Sequence, residues 1–162
     1  MKDIRQDKTE SSLFDLLQKY KNNRLKFPDS IIRNNEWGFD QKSAYVESML
    51  VGLHLPTIYF LESIDGTRYC FDGFNRIRTK FDFYDGKFAL QNLKFLPEYN
   101  GLLFDKLPGV KQSRFEDLKF KVVTIQPPFD LDSVYELLQR VHGGRYVDKE
   151  TFFYAIEKTK AF

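Results

Sequence analysis

Phe71-Asp72-Gly73-Phe74-Asn75-Arg76 puts a carboxylate, a glycine and a guanidinium within a few residues of one another. Apolar residues precede it, and Ile77, Phe81 and Tyr84 follow at helical spacing, so the segment reads as a strand–turn–helix junction. The amides and dipole at such a helix start favour an anion. Gly73 would let a phosphate approach the backbone closely, and Arg76, about one turn in, carries the planar fork that grips phosphate. Asp72 could cap the helix, hold Arg76, or bind a metal carried by a nucleotide. The plainer alternative is an Asp-Gly turn with Arg76 paired to Asp72 on the surface. There is no glycine-rich phosphate loop with its lysine.

Other residues offer weaker chemistry. Arg140, His142 and the pair Gly143-Gly144 make a second bend that could bind an anion, or a helix end with its usual glycine exit. His142 could serve as an acid or base near neutral pH, although no nucleophile is paired with it in the sequence. Cys70, the only cysteine, excludes an internal disulfide and reads as a buried, inert thiol. Arg76, Arg78, Lys80 and Lys87 could touch a nucleic-acid backbone, but Asp82 and Asp85 interleave with them.

Three ordered motifs carry a resemblance. Asp72-Gly73-Phe74-Asn75-Arg76 is similar to the Asp-Gly-Gln-Gln-Arg hallmark of the N-terminal domains of GmrSD-type modification-dependent restriction enzymes, a family of the ParB/sulfiredoxin-like fold. Upstream, Arg33 and Trp37 keep the family's four-residue spacing, and Val46-Glu47-Ser48-Met49-Leu50-Val51-Gly52-Leu53-His54-Leu55-Pro56 resembles its next helix. Downstream, Leu138-Gln139-Arg140-Val141-His142-Gly143-Gly144 resembles its Phe-x-Arg-x-x-x-Gly segment. The resemblance spans residues 30–157 and implies a nucleoside triphosphate with Mg2+, association with DNA, and hydrolysis or cleavage. It makes Asp72, Arg76 and Glu47 the catalytic candidates, with Asp72 as metal ligand. Arg33, Gly73, Asn75, Arg76 and Arg140 become candidate nucleotide contacts. Trp37 reads as a pocket wall or as a core residue, and Glu47 as a metal-placing carboxylate or a solvated helix residue. Phe74 and Asn75 replace the family's two glutamines. Phe74 cannot orient a water, though it could stack on a base.

The elements that must position these residues follow from patterning. Ser12 begins a capping box ahead of a short amphipathic helix, and Asp40 is a candidate cap for a second. Residues 57–61 and 68–71 read as strands around the Asp65-Gly66 turn, 87–90 as a short strand, 91–110 as loop, and 119–125 as a β-branched strand. Asp132 or Ser133 can cap the next helix, and Asp148 the last. The first ten residues are charged and expected to fray. The expected architecture is a single α+β domain of the ParB/sulfiredoxin-like type over residues 30–162, a small mixed sheet flanked by helices. Residues 1–29 are expected to form an N-terminal extension with a short helix.

Seventeen Phe and nine Tyr exclude wholesale disorder, and a net charge of +2 neither announces nor forbids a nucleic-acid partner. No apolar run approaches a membrane span and no secretory signal is visible, so a cytoplasmic protein without a membrane partner is expected. The sequence supports three functions: a nucleotide-binding, DNA-associated module that hydrolyses a nucleoside triphosphate, a non-catalytic module that binds protein or nucleic acid, and a small stand-alone nuclease. Because no nuclease domain follows, a separate effector protein is an expected partner of the first two.

Overall fold

The computed structural model describes residues 3–32 and 36–162. In chain order the elements are β1 (Gln6–Ser11), α1 (Leu13–Lys21), β2 (Leu25–Lys26), α2 (Asp29–Ile32), α3 (Phe39–Val51), β3 (Ile58–Glu62), β4 (Arg68–Asp72), α4 (Phe74–Tyr84), α5 (Gly109–Asp117), β5 (Phe120–Ile125), α6 (Leu131–Val141) and α7 (Lys149–Thr159). The strands form one mixed sheet in the order β1-β5-β3-β4-β2. The outermost pairs are β1 antiparallel to β5 and β2 parallel to β4, while β3 lies between β4 (antiparallel) and β5 (parallel). The fold is α+β.

The central strands are buried on both faces at most positions, and the apolar stretches of β3 and β4 read accordingly as short continuous runs, while β5 keeps one exposed position at Lys121. Ile58, Phe60, Cys70, Phe120 and Val122 pack with Leu13, Leu16, Met49, Ile77 and Phe115 from α1, α3, α4 and α5. Leu61, Tyr69, Phe71 and Ile125 pack on the opposite face with Val134, Leu138, Phe152 and Ile156 from α6 and α7. Helices therefore cover both sides of the sheet.

Several local expectations need correction. Within the charged N-terminal segment, the stretch from Gln6 onward is not frayed. Its residues 6–11 pair with β5, and an edge strand flanked by water on one side tolerates such polarity. Residues 6–26, within the segment 1–29 expected to form an extension, supply both sheet edges and three core leucines, Leu13, Leu16 and Leu25. Ser12 does cap α1, accepting from the Asp15 amide at 3.1 Å. Asp40 is not the cap of α3. Gly38 occupies that position, its amide donating to Gln41, while Asp40 accepts from Gln91 and Asn92. Residues 87–90 form no strand: the Lys87 amide donates back to the Asp82 carbonyl at the end of α4, and Leu90 alone pairs across, with Leu102 and Gly101. Asp130, not Asp132 or Ser133, caps α6, and α5 was not foreseen. Asp148 caps α7 as expected.

Candidate ligand-binding site

The junction at Asp72 is shaped by an irregularity in the sheet. Tyr59 pairs with Asp72 but Phe60 pairs with Cys70, so Phe71 is an extra residue and β4 bulges. A bulge re-aims the side chains beside it. The carbonyl of Phe71 accepts from the Tyr146 hydroxyl at 2.6 Å, so the irregular backbone is closed by a side chain from the α6–α7 connection. Burial pushes the Tyr146 phenol well above its ordinary pKa, which keeps it a donor.

Gly73 turns the chain from β4 into α4. Its φ of 104° lies in the left-handed region, and a Cβ there would sit 2.7 Å from Ile58 Cγ1. Both facts require glycine for chain geometry. Arg76 points inward. Its Nη1 donates to the carbonyls of Pro56 at 2.7 Å and Thr57 at 3.0 Å, and Nη2 donates to Asp72 Oδ1 at 3.0 Å. The guanidinium thus clamps the start of α4 to the segment entering β3. Three of its five N–H groups are spent on protein acceptors, so it has little left to grip a phosphate.

The second oxygen of Asp72 faces His142, with Nε2 at 3.2 Å. The approach lacks hydrogen-bond geometry, and Nε2 has no hydrogen-bond partner among the described residues. The imidazole also lies against the Tyr146 ring, with centroids 5.3 Å apart. Asp72 thus faces one ring nitrogen, and Nδ1 is the other. The Asp72–Arg76 ion pair and His142 form the polar floor of a cavity of about 480 Å3. Trp37, Tyr45 and Tyr59 provide its aromatic wall, and Pro56 and Val141 complete the apolar lining. Trp37 meets Tyr45 edge to face at 5.4 Å.

The remaining candidates divide by location. Asn75 accepts from the Trp37 amide at 3.0 Å, so it helps fix the cavity wall. Phe74 packs against Phe27 at 5.1 Å and does not line the cavity. Glu47 is not brought to this corner. Its carboxylate accepts from the amides of Lys94, Phe95 and Leu96 at 3.2, 2.6 and 2.8 Å. Arg140 is exposed and paired with Glu136 at 2.8 Å, away from the cavity. Arg33 lies outside the described residues. Cys70 is buried, its thiol pushed far up by burial and by the Asp72 carboxylate. Sequence reasoning singled out His142 without placing it, and it missed Tyr45 and Tyr59. Their aromatic character gave no signal in a chain so rich in Phe and Tyr.

Arg78 and Lys87 both pair with buried Asp82, and Lys80 is buried, so this run presents no unpaired cationic patch. Among the described residues, no group of three or more His, Cys, Asp or Glu side chains is placed to hold a metal ion. Among the described residues Asp72 is the one carboxylate lining the cavity, and its two oxygens already face Arg76 and His142. These residues do not fit a protein-held Mg2+. A larger open groove of about 1050 Å3 lies between β2, α2 and α7, where Asp148 is engaged in capping and no buried charges converge. No helix among the described residues is long and apolar enough to cross a membrane. No family model, curated protein or solved structure matches the chain significantly.

Proposed function

We propose that the protein is a nucleotide-binding module that works in association with DNA. One observation carries the nucleotide reading: an aromatic-walled cavity of about 480 Å3 over the Asp72–Arg76–His142 floor. Its size is in the range of small-molecule sites, roughly 300–1,000 Å3. Aromatic walls suit a flat, polarisable base. Association with DNA, like a separate effector protein, rests on the resemblance to GmrSD-type domains. Magnesium, if present, would travel with the phosphates rather than with the chain. Isothermal titration of the full chain with the four common ribonucleoside triphosphates, in magnesium or in EDTA, tests the proposal. At least one should give saturable heat in both buffers, weakened about tenfold or more by Trp37→Ala, the loss of one stacking contact. Silence across the panel overturns it.

A second, hydrolytic reading has the Asp72–His142 contact behind it. A carboxylate facing Nε2 favours the tautomer with its proton there and leaves Nδ1 to take one from water. Phosphate release that disappears in His142→Ala supports it. Release no faster than in buffer ends the hydrolytic reading and leaves binding intact.

A further inference from the structure

The two edges of the sheet are finished differently. β2 at one edge is two residues long. β1 at the other edge is six residues long, pairs with β5 without a break in register, and contains no proline. Among the described residues no strand pairs with its outer side. The register fixes which main-chain groups are free. The Gln126 amide donates to the Arg5 carbonyl, so residues 5 and 126 are a hydrogen-bonded pair. By the two-residue period, Asp7, Thr9 and Ser11 also turn their main-chain groups toward β5. Gln6, Lys8 and Glu10 therefore turn theirs outward, and all three are exposed. Such an edge is a template for another strand.

Charged side chains on an edge ordinarily keep it unpaired. Here their order makes the edge complementary to itself. Lys8 and Glu10 stand two apart on one face of the strand, and neither forms an ion pair among the described residues. An antiparallel copy related by a twofold axis reaches the outward groups only in registers that set residues 6, 8 and 10 against one another. An axis at Lys8 or at Glu10 sets a like charge against itself, and an axis at Asp7 sets two Asp7 carboxylates together. An axis at Thr9 instead sets Lys8 against the partner's Glu10, and Glu10 against the partner's Lys8. Glu10 also lies opposite Lys121 of its own β5, so the row across the junction reads Lys121, Glu10, then the partner's Lys8.

We propose that β1 pairs antiparallel with β1 of a second copy about a twofold axis through Thr9, joining the two sheets into one. None of the residues lining the aromatic cavity lies on β1 or β5, so the pairing does not consume the proposed nucleotide site. Strand pairing alone is small for an interface, so a weak dimer is expected, with a Kd on the order of 100 μM.

Sedimentation velocity of the full chain, from about 10 μM to about 1 mM, reads the dimer. Lys8→Glu and Glu10→Lys each set like charges together twice, and each should weaken association at least about tenfold. An equimolar mixture of the two variants recreates both opposite-charge pairs and should associate as the wild type does. Thr9→Cys places a thiol opposite its own copy at the close spacing of about 4.5 Å, within disulfide reach, and should cross-link under air oxidation. Gln6→Cys, on the same edge but far from the axis, should not. Cys70 is buried and does not compete. Melting points check that each variant is folded. A chain that stays monomeric over the whole range overturns the proposal. So does a dimer indifferent to both charge reversals, or Gln6→Cys cross-linking as fast as Thr9→Cys.

Discussion

Tyr45 and Glu47 stand two residues apart on α3, both buried, with opposite polar fates. Glu47 is closed by the chain itself, since three consecutive amides converge on its carboxylate. The Tyr45 hydroxyl is buried with no hydrogen-bond partner among the described residues, on a residue that lines the cavity. The same division runs through α4. Lys80, with no exposed surface, donates to the Leu118 carbonyl between the rings of Phe115 and Phe120. Asp82 is surrounded by Lys42, Arg78 and Lys87. One turn earlier, Arg76 and Asp72 are bonded to each other, and the unpartnered group beside them at the cavity is His142 Nε2. Buried polarity that the fold satisfies is scaffold; buried polarity left unsatisfied at a cavity marks a site.

Lys80 offers the largest test of the closed half. Burial lowers its pKa from 10.5 to about 8, partly opposed by Asp117. Between those values the unfolded chain binds the proton and the folded chain does not, so stability rises with pH across that window. The contribution is full above 10.5 and is lost as pH falls to 8, an effect of about 3 kcal/mol at 1.36 kcal/mol per pKa unit. Cys70, Tyr45 and Tyr146, whose folded-state pKa values are raised, pull the other way as the unfolded chain ionises above about pH 9. The useful quantity is therefore the difference between wild type and Lys80→Met, measured by urea unfolding at pH 7.5, 9 and 10.5. The wild type should gain on the variant as pH rises. A constant difference would mean that Lys80 is not desolvated.

Glu47→Ala is the next largest. It strands three amides, but Lys94 and Phe95 are exposed and water can replace part of the loss. About 2 kcal/mol of destabilisation is expected in denaturant unfolding. Ligand affinity of the folded variant should be unchanged, because the carboxylate does not line the cavity. Abolished binding in a well-folded Glu47→Ala would return Glu47 to the site and break the contrast with Tyr45.

What the sequence made legible follows the range of the interaction. Ser12 and Asp148 cap helices through contacts three residues long, and both could be read directly. The Asp72–Arg76 pair is an i,i+4 contact, equally local. The rest of the Arg76 environment was hidden, because Pro56 and Thr57 contribute main-chain carbonyls that any residue type would supply. His142 lies seventy residues beyond Asp72 and meets it only because α6 packs across the sheet. The bulge at Phe71 leaves no mark on apolar patterning, since both faces of β4 are buried. Polar β1 misled for the converse reason: an edge strand has little apolar surface to hide.

The smallest expected effect sharpens the comparison most. Thr79 and Thr124 also carry buried hydroxyls without partners among the described residues, and neither lines the cavity. If an open hydroxyl matters only where a ligand can reach it, these two are burdens on stability alone. Thr79→Val and Thr124→Val keep the branched shape and remove the unsatisfied oxygen, so each should raise unfolding free energy by about 1 kcal/mol. Thr79 lies within a helix, where valine and threonine have nearly equal propensity, and Thr124 lies in a strand that favours both. Quenching of Trp37, the only tryptophan and a cavity residue, by the ligand of the wild type should be unaltered in both variants. Tyr45→Phe removes a third orphan hydroxyl, from a residue that lines the cavity, so a change of quenching in that variant alone would tie the cavity wall to the ligand.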